Sequence, residues 1–480
     1  MLLLKAWLLC ILLIGLSSMG YCSLKLDING REREHIKNKI DLGELADTDF
    51  CDLLNKAVMF YKVQRAGRLP DDDIPWRGNS ALQDSSPGSH PDENGDGDLS
   101  KGYFDAGDHV KFGFPMAGSM TMLGWGYLQN KDAIEKCGAS KIYLEDLKWG
   151  WDWLMAAHIS PNEFCGQVGN AEADHAYWGP PELMTMPRPT MVIDENNPGT
   201  ELALEASSAL AICSMIMEDI DPTYASNCLQ HSKDLNIFGD TYRGIYSNSI
   251  TDAQNFYKSF SGYNDELVWG NIWLYKATQD KSYLDKAVNY YSEYDVGKMA
   301  QQDSHDWDLK APGAALLLSQ ILPGNQTYIN DIEGFLNWWL PGGGVPYTPG
   351  GLAWIRMWAP ARYAATTSFL MSVYGGEKYT TFTVKQISYI LGNNPNQQSF
   401  VVGIGPNHPI NPHHRASHHS LTNNIMSPVN NTYLHLGALV GGPGQDDSYK
   451  DDRTDYVKNE VACDYQAGFV ASLAYLASQQ

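Results

Sequence analysis

The stretch FCDLLNKAVMFYKVQ, from Phe50 to Gln64, has the spacing of an amphipathic helix. Its apolar residues recur every three or four positions, namely Phe50, Leu53, Leu54, Ala57, Val58 and Tyr61. Stripes of the same period predict further helices over residues 116–128, 142–158, 200–218, 223–238, 263–278, 281–293, 310–322, 326–340, 359–374, 379–391 and 462–478. About twelve helices predict an all-α fold.

Strand patterns are scarce outside these helices. The best alternation is SFVVGIG, from Ser399 to Gly405, and we expect a strand there. Loops rich in Gly, Pro, Asp, His and Trp separate the helices, at about 65–115, 159–199, 341–358 and 392–461. Loops longer than about 15 residues in a compact domain are usually functional or disordered, and dense aromatic residues argue against disorder. We therefore expect these loops to build the functional site.

The order of segments predicts a secreted, single-domain protein. Residues 1–22 combine one Lys, a short apolar run and small residues, which is typical of a signal peptide; an uncleaved anchor is the alternative. Residues 23–47 form a polar lead-in, and residues 48–480 contain no linker or close repeat. No later segment looks apolar over the roughly 18 residues of a membrane span, so we expect an extracellular protein without a membrane.

The net charge narrows the classes of binding partner, and the cysteines leave two structural roles open. The chain has 34 basic and 56 acidic residues, and its net charge of -22 repels nucleic acid and anionic lipid. Six cysteines lie beyond the leader, and they either form disulfides, with fifteen connectivities open, or serve as small buried hydrophobes. They are Cys51, Cys137, Cys165, Cys213, Cys228 and Cys463.

Two carboxylates lie close together in the motif DAGD, at Asp105 and Asp108. The small Ala106-Gly107 spacer allows a tight turn, which can direct both acids into one cavity. Neighbouring carboxylates raise each other's proton affinity, so one can act as a base while the other positions a water. The alternative is ordinary turn and helix-cap chemistry, and the motif alone does not decide between them.

A third acid, Glu460, follows Tyr456 and precedes an apolar helical stretch. Aromatic neighbours can desolvate its carboxyl group and raise its pKa, so that it serves as a general acid. The alternative is a glutamate that satisfies backbone N–H groups at a helix start.

Two motifs raise the question of a metal. His414 and His418 in NPHHRASHH have zinc-ligand spacing, but Pro412 and Arg415 favour polar contacts to a ligand over zinc. The stretch HPDENGDGDLS resembles the start of a calcium loop, although Tyr103 replaces the bidentate Glu of that template. Its acidic and amide positions are Asp92, Asn94, Asp96 and Asp98.

Six motifs in order resemble glycoside hydrolase family 9, the inverting endoglucanases that act on β-1,4-glucan. They are GYFDAGDHVKFGFPMA, NEFCGQVGNAEADHAYWGPPE, DTYRGIYS, SFSGYNDELVWG, NPHHRAS and DRTDYVKNEVACDYQAGF. The resemblance implies an (α/α)6 barrel of six inner and six outer helices, whose long loops form an open substrate cleft. It agrees with the twelve helices predicted from periodicity.

The resemblance also implies roles for individual residues. Asp108 would be the general base, Asp105 would help to hold the water, and Glu460 would protonate the leaving oxygen. Implied substrate-binding residues are His175, Trp178, Tyr257, Trp358, Arg362, Tyr363, His413, Arg415, Asp451, Asp455 and Tyr465. A structural calcium would map to Ser261, Gly262, Asp265, Glu266 and Asp308, where a plain helix-start cap is the alternative.

Three positions depart from the family pattern: Lys101 replaces a glycine, Phe260 replaces a common Trp, and Gln466 replaces the usual Asn. None removes an acid or a base. The sequence thus predicts a secreted, monomeric endo-β-1,4-glucanase without a catalytic cofactor, which prefers soluble or amorphous glucan. The alternatives are activity on xylan or mixed-linkage glucan, a glycan-binding protein with vestigial activity, and a zinc hydrolase.

Overall fold

Twelve long helices dominate the computed structural model, which describes residues 41–71, 73–87 and 97–480. The predicted signal peptide, residues 23–40 of the polar lead-in, and Asp92, Asn94 and Asp96 of the calcium-like loop lie outside the described residues. The helices are α1 (Phe50–Gln64), α2 (Gly113–Lys136), α3 (Ser140–Ala157), α4 (Thr200–Met217), α5 (Pro222–Thr241), α6 (Asn264–Thr278), α7 (Lys281–Glu293), α8 (Ala311–Ile321), α9 (Gln326–Trp339), α10 (Pro360–Tyr374), α11 (Glu377–Ile390) and α12 (Cys463–Ser478).

The even-numbered helices form a closed inner ring. Helix α2 packs on α4, α4 on α6, α6 on α8, α8 on α10, α10 on α12, and α12 on α2. Each odd-numbered helix packs outside one member of this ring: α3 on α2, α5 on α4, α7 on α6, α9 on α8, α11 on α10 and α1 on α12. The predicted (α/α)6 barrel is therefore confirmed.

Inner and outer helices differ in how much of their surface is buried, in agreement with their sequences. Inner helix α4 is buried on all sides, whereas outer helix α9 buries one stripe, from Tyr328 through Ile332 to Trp339. By length and composition α4 could cross a membrane, so the expectation that no such segment follows the leader was wrong. However, 94% of α4 is buried inside the protein, which accounts for its apolar composition.

Connection lengths bring the long loops to one end of the barrel. Each inner helix from α2 to α10 joins its outer partner through a short turn, so the two run antiparallel and the inner helices run parallel. The long segments all precede an inner helix and therefore meet at the end where the inner helices begin. They span residues 65–112, 158–199, 242–263, 294–310, 340–359 and 391–462.

A small antiparallel sheet lies among these loops, and the prediction of a strand at residues 399–405 was wrong. That segment contains only an isolated bridge between Val401 and Leu439. Strands of two to six residues are too short for a clear alternation, and the central strand is buried along most of its length. The strands are β1 (Lys111–Phe112), β2 (His158–Ser160), β3 (Glu163–Val168) and β4 (Thr190–Ile193), with β3 pairing to the other three.

Both alternatives for the cysteines occur. Cys165 and Cys463 are buried free thiols. One disulfide joins the start of α1 to the end of α2, and the other joins α4 to α5, as Cys51–Cys137 and Cys213–Cys228.

Candidate active site

Asp105 and Asp108 lie in the loop before α2 and are almost fully buried. Each has one oxygen held by a neighbour. The hydroxyl of Tyr257 donates to Asp105 Oδ2 at 2.5 Å, and His175 Nε2 lies 3.1 Å from Asp108 Oδ2. The Oδ1 atom of each acid is buried without a partner among the described residues. Two such acceptor oxygens can hold and activate a water.

Glu460 reaches the same loop from the other end of the chain. It follows the short helix Tyr456–Asn459 and pairs as a parallel bridge with His413. Its Oε1 accepts a hydrogen bond of 3.2 Å from the main-chain N–H of Gly107. The structure therefore brings together the three acids that the sequence predicts to be catalytic.

Gly107 allows this approach because it has no side chain. A Cβ atom there would lie 2.2 Å from the carbonyl oxygen of His413 and 3.0 Å from Glu460 Oε1. The carbonyl of Gly107 also accepts a hydrogen bond of 2.9 Å from the main-chain N–H of Arg415. The glycine of DAGD thus serves the contact between two distant segments.

Burial and neighbouring charges raise the pKa of two of the three acids. Burial, followed by the charge of Asp108, raises the pKa of Glu460 to about 8, so this group is protonated at neutral pH. The pKa of Asp105 is raised well above its usual range by burial and then by the charges of Asp464 and Asp108. A neutral glutamic acid beside two buried aspartates has the charge state of a general acid.

A network of buried charged residues supports the loop that contains Asp105 and Asp108. Arg188 donates to Asp84 at 2.8 Å and to Asp174 at 3.2 Å, and Lys111 Nζ lies 2.8 Å from Asp84. Asp174 in turn accepts a hydrogen bond of 2.8 Å from the N–H of His109, directly after Asp108. Sequence reasoning missed this network, although Asp174 lies in the motif that contains His175.

Arg415 and Trp178 pack together next to the acid pair. The guanidinium carbon of Arg415 lies 4.4 Å from the centre of the Trp178 ring. Arg415 also donates to the carbonyls of Tyr177 and His175, at 2.8 and 3.1 Å. Arg415 is buried and its Nη1 has no partner among the described residues, so one donor remains for a ligand.

Hydrogen bonds occupy the ring nitrogens of His414 and His418 in the histidine cluster. His418 Nδ1 accepts from Trp178 Nε1 at 2.6 Å, and its Nε2 bonds to the Pro428 carbonyl. His414 bonds to Gln64 through Nε2 and accepts from the Ser417 N–H through Nδ1. Both nitrogens of each ring are engaged, which leaves no lone pair for zinc. In the part of the chain that the structure describes, no three His, Cys, Asp or Glu side chains form a metal-binding group.

His413, Asp451 and Asp455 support the loop that leads to Glu460. Burial, and then the charge of Arg415, lowers the pKa of His413 to about 3, so its ring is neutral. Asp451 accepts hydrogen bonds from the N–H of Asn411 and from Asn459, whereas Asp455 accepts from the N–H of Lys458 as the cap of the short helix. Their contact with a substrate stays a prediction.

Aromatic side chains line the neighbouring surface. Trp358 is 43% exposed, and its Nε1 donates to the hydroxyl of buried Tyr465 at 2.9 Å. The ring of Tyr456, which is 49% exposed, lies 5.4 Å from that of Trp358. Tyr456 is absent from the predicted binding residues, although its position in DYVKNE would have indicated it.

Arg362 and Tyr363 lie below this surface and are buried. Arg362 forms an ion pair of 2.7 Å with Asp464 and stacks on the rings of Tyr363 and Tyr465. The charge of Asp464 raises the pKa of Asp105. The ion pair of Arg362 and Asp464 therefore influences the protonation of Asp105. Sequence reasoning missed Asp464, four residues after Glu460.

The five residues predicted to hold calcium are at the start of α6 and in the loop before α8. Asp308 Oδ2 accepts from the N–H of Ser261 at 3.0 Å, and Asp265 Oδ2 accepts from the N–H of Lys310 at 2.6 Å. Carboxylate oxygens of Asp265, Glu266 and Asp308 are nevertheless buried without partners among the described residues. Carboxylate oxygens are hard donors that suit calcium, but these three carboxylates do not form a metal-binding group of three in the described residues, so the calcium site stays a prediction.

A buried acid pair next to a protonated glutamate supplies the general base and the general acid that a glycoside hydrolase requires. Comparison with known proteins agrees. Residues 50–473 match the model of glycosyl hydrolase family 9. The chain belongs to this family.

Individual relatives resemble the chain over most of its length. An endoglucanase of Dictyostelium discoideum is 65% identical over 431 residues, which are 90% of this chain and 61% of that protein. The structure of an endoglucanase from the termite Nasutitermes takasagoensis superimposes with a TM-score of 0.84 at 42% identity, covering 90% of this chain and 99% of the termite chain. The structure of endoglucanase CelQ from Clostridium thermocellum, complexed with cellotriose, superimposes with a TM-score of 0.79 at 38% identity. The match covers 89% of this chain and 70% of the CelQ chain.

Proposed function

We propose that this protein is a secreted endo-β-1,4-glucanase that hydrolyses internal β-1,4-glucosidic bonds with inversion of the anomeric carbon. The observation that supports it best is the contact between the Asp105–Asp108 loop and Glu460, whose pKa is raised to about 8. The endoglucanase names of the relatives and the cellotriose complex of CelQ support a β-glucan substrate.

The proposed reaction uses one water and two proton transfers. Asp108 removes a proton from a water held between the free Oδ1 atoms of Asp105 and Asp108. The water oxygen bonds to the anomeric carbon while the glycosidic C–O bond breaks, and Glu460 gives its proton to the departing oxygen. Inversion follows because acid and base act from opposite faces of the sugar, typically about 6.5–9.5 Å apart. The products are two shorter glucans, and solvent restores both acids.

The aromatic surface supplies the proposed binding contacts. Exposed Trp358 and Tyr456 offer ring faces to the apolar C–H faces of glucose. Trp178 and Arg415, packed against each other, offer a further ring and one free N–H donor for a sugar hydroxyl. The neutral ring of His413 lies 4.7 Å from the ring of Trp178 and extends the same proposed sugar-binding surface.

We propose a structural calcium and no catalytic cofactor. The unpartnered oxygens of Asp265, Glu266 and Asp308 support the cation site, because three buried carboxylates can carry more negative charge than the neighbouring Lys310 offsets. The ion would hold α6 to the loop before α8. Acid and base suffice for the reaction itself.

We also propose that the protein is exported and monomeric. The leader-like residues 1–22 support export, and the disulfides Cys51–Cys137 and Cys213–Cys228 suit an oxidising compartment.

Glu460→Gln tests the proposal, since it keeps the shape of the side chain but removes the transferable proton. Wild-type protein should release reducing ends from carboxymethyl cellulose, and NMR should show the α-anomer first from β-linked cellopentaose. The variant should bind cellopentaose but lose at least about 100-fold in kcat. Glu377→Gln, in α11, is the matched control and should remain active. Wild-type turnover by Glu460→Gln, or a β-anomer as first product, contradicts the mechanism.

A further inference from the structure

Exposed apolar side chains are concentrated in one surface segment, residues 421–434, in the long loop before α12. Twelve large apolar side chains are exposed in the part of the chain that the structure describes, and four of them belong to this segment. Single exposed apolar residues are ordinary on a soluble protein, whereas a group of them usually marks a surface that something covers. The four residues are Leu421, Met426, Val429 and Leu434, with exposed fractions of 71%, 64%, 84% and 44%.

Hydrogen bonds from Arg453 hold the segment in place. Its guanidinium group donates to the carbonyls of Ile425 and Val429, at 2.8 and 3.0 Å, and to Oδ1 of Asn431 at 2.6 Å. Because carbonyls 425 and 429 bind the same guanidinium group, the exposed side chains of Met426 and Val429 lie close together. They form an apolar patch on a fixed part of the surface.

A glycosylation motif lies inside this apolar patch. Asn430-Asn431-Thr432 has the Asn-X-Thr pattern of an N-glycosylation acceptor, and Asn430 directly follows Val429. The side chain of Asn430 is exposed and makes no hydrogen bond to a described residue. Its Nδ2 atom can therefore carry a sugar without the loss of a native contact.

The two residues that follow Asn430 are anchored to the protein instead. Asn431 Nδ2 donates to Ser417 Oγ at 3.0 Å and to the Pro412 carbonyl at 3.1 Å. Thr432 Oγ1 donates to the His418 carbonyl at 3.0 Å. Asn430 is thus the solvent-facing member of the motif, and a glycan on it would begin at the apolar patch.

We propose that Asn430 carries an N-linked glycan and that this glycan covers the apolar patch. Its Nδ2 forms a bond to the anomeric carbon of a lipid diphosphate-linked oligosaccharide. The bond from that carbon to the diphosphate oxygen breaks, the lipid diphosphate leaves with the bonding electrons, and one Nδ2 proton passes to solvent. An N-linked glycan is bulky and solubilising, so it keeps the apolar side chains beneath it from other molecules. The inference rests on the proposed export, because the transfer takes place in the secretory pathway.

A second motif, Asn325-Gln326-Thr327, supplies a matched control. It lies at the start of α9, which follows the end of inner helix α8, so it is at the opposite end of the barrel from the apolar patch. Oδ1 of Asn325 accepts a hydrogen bond of 3.1 Å from the N–H of Thr327 and caps α9. Thr327→Val removes this acceptor motif but keeps the cap and the shape of the side chain.

Secretion of the full chain from a eukaryotic host tests the inference. Peptide mass spectrometry should find a glycan on Asn430, which an N-glycosidase removes and Asn430→Gln prevents. The Asn430→Gln protein should be retained longer than the wild type on a phenyl column, and addition of Val429→Ser should shorten its retention again. Thr327→Val should leave retention unchanged, as should Thr432→Ser, which preserves the motif. Hydrolysis of carboxymethyl cellulose should be unchanged in all variants and reports separately on the proposed function.

An unmodified Asn430 in the secreted protein overturns the inference while export stands. So does a glycan whose loss leaves column retention unchanged. A dimer of the glycosylated wild type that dissociates with Val429→Ser also overturns it, since a second copy would then cover the apolar patch. The same holds for adsorption of the wild type to cellulose that Val429→Ser abolishes. If residues 1–22 fail to direct export, the proposed export fails, and the chain behind the host's own signal peptide decides the question of the glycan.

Discussion

The main-chain N–H of Gly107 donates a hydrogen bond of 3.2 Å to Oε1 of Glu460, although 353 positions separate them in the chain. The contact fixes the proposed acid relative to the loop that contains Asp105 and Asp108. It exists because α2 and α12 are neighbours in the inner ring and both site segments directly precede these helices.

Substitution of Gly107 by Ala should disrupt this contact. A Cβ atom would meet the His413 carbonyl at 2.2 Å, so the two segments must move apart. A displacement of about 1 Å at a catalytic group lowers kcat by roughly 100-fold, and overpacking costs roughly 1–3 kcal/mol of stability. Steady-state kinetics and urea unfolding measure both effects.

Gly334→Ala in α9 is the matched control, because nothing lies within 4 Å of a Cβ atom there. It should keep full activity and gain about 0.5–1 kcal/mol from the higher helix propensity of Ala. Full activity of Gly107→Ala would mean that close contact between the two segments is not needed.

The pH dependence of kcat/KM should show a falling limb near pH 8. Glu460 must be protonated to act as an acid, and its pKa is raised from the ordinary 4.5 to about 8. Activity should therefore persist below that pH and decline as the pH rises through it, by about tenfold for each further pH unit. A rate that has already fallen tenfold between pH 5 and pH 6.5 would be incompatible with a protonated Glu460.

Removal of calcium should lower thermal stability before it affects chemistry. A ligand present at about 100 times its Kd stabilises the native state by about 2.7 kcal/mol, so a chelator should lower Tm and added calcium should restore it. Asp308→Asn should abolish the response of Tm to calcium. Asp285→Asn, an exposed position on α7, should leave it unchanged. A Tm that ignores both chelator and calcium argues against the site.

Loss of the two disulfides should have unequal costs. Cys51–Cys137 spans 86 positions and Cys213–Cys228 spans 15. Because closing a longer loop removes more entropy from the unfolded chain, Cys51→Ala with Cys137→Ala should cost about 1–2 kcal/mol more than the other pair. Urea unfolding measures the difference, with Cys165→Ala as a control that removes no cross-link. Equal losses would mean that loop entropy does not dominate.

Helical periodicity predicted most of the scaffold, and its errors have local causes. Residues 116–128 were predicted as a helix, but α2 runs from Gly113 to Lys136. The backbone at Asn130 is non-helical, with φ of -127°, so a short second stretch follows a kink where the apolar stripe fades. The sheet around β3 escaped prediction because its strands are short and β3 is mostly buried.

The amino-acid sequence by itself predicted the helices, because the apolar period is a local property, and the resemblance of its motifs to the family supplied the candidate acids. Only the tertiary structure decided which groups meet: Gly107 with Glu460, Asp464 with Arg362, and Phe256 with His175. The first contact arises from closure of the inner ring between α2 and α12, the second from the packing of α10 on α12, and the third from two loops at the same end of the barrel. Aromatic neighbours in sequence predicted a raised pKa for Glu460, but its full burial and the charge of Asp108 depend on the distant segment that packs against it.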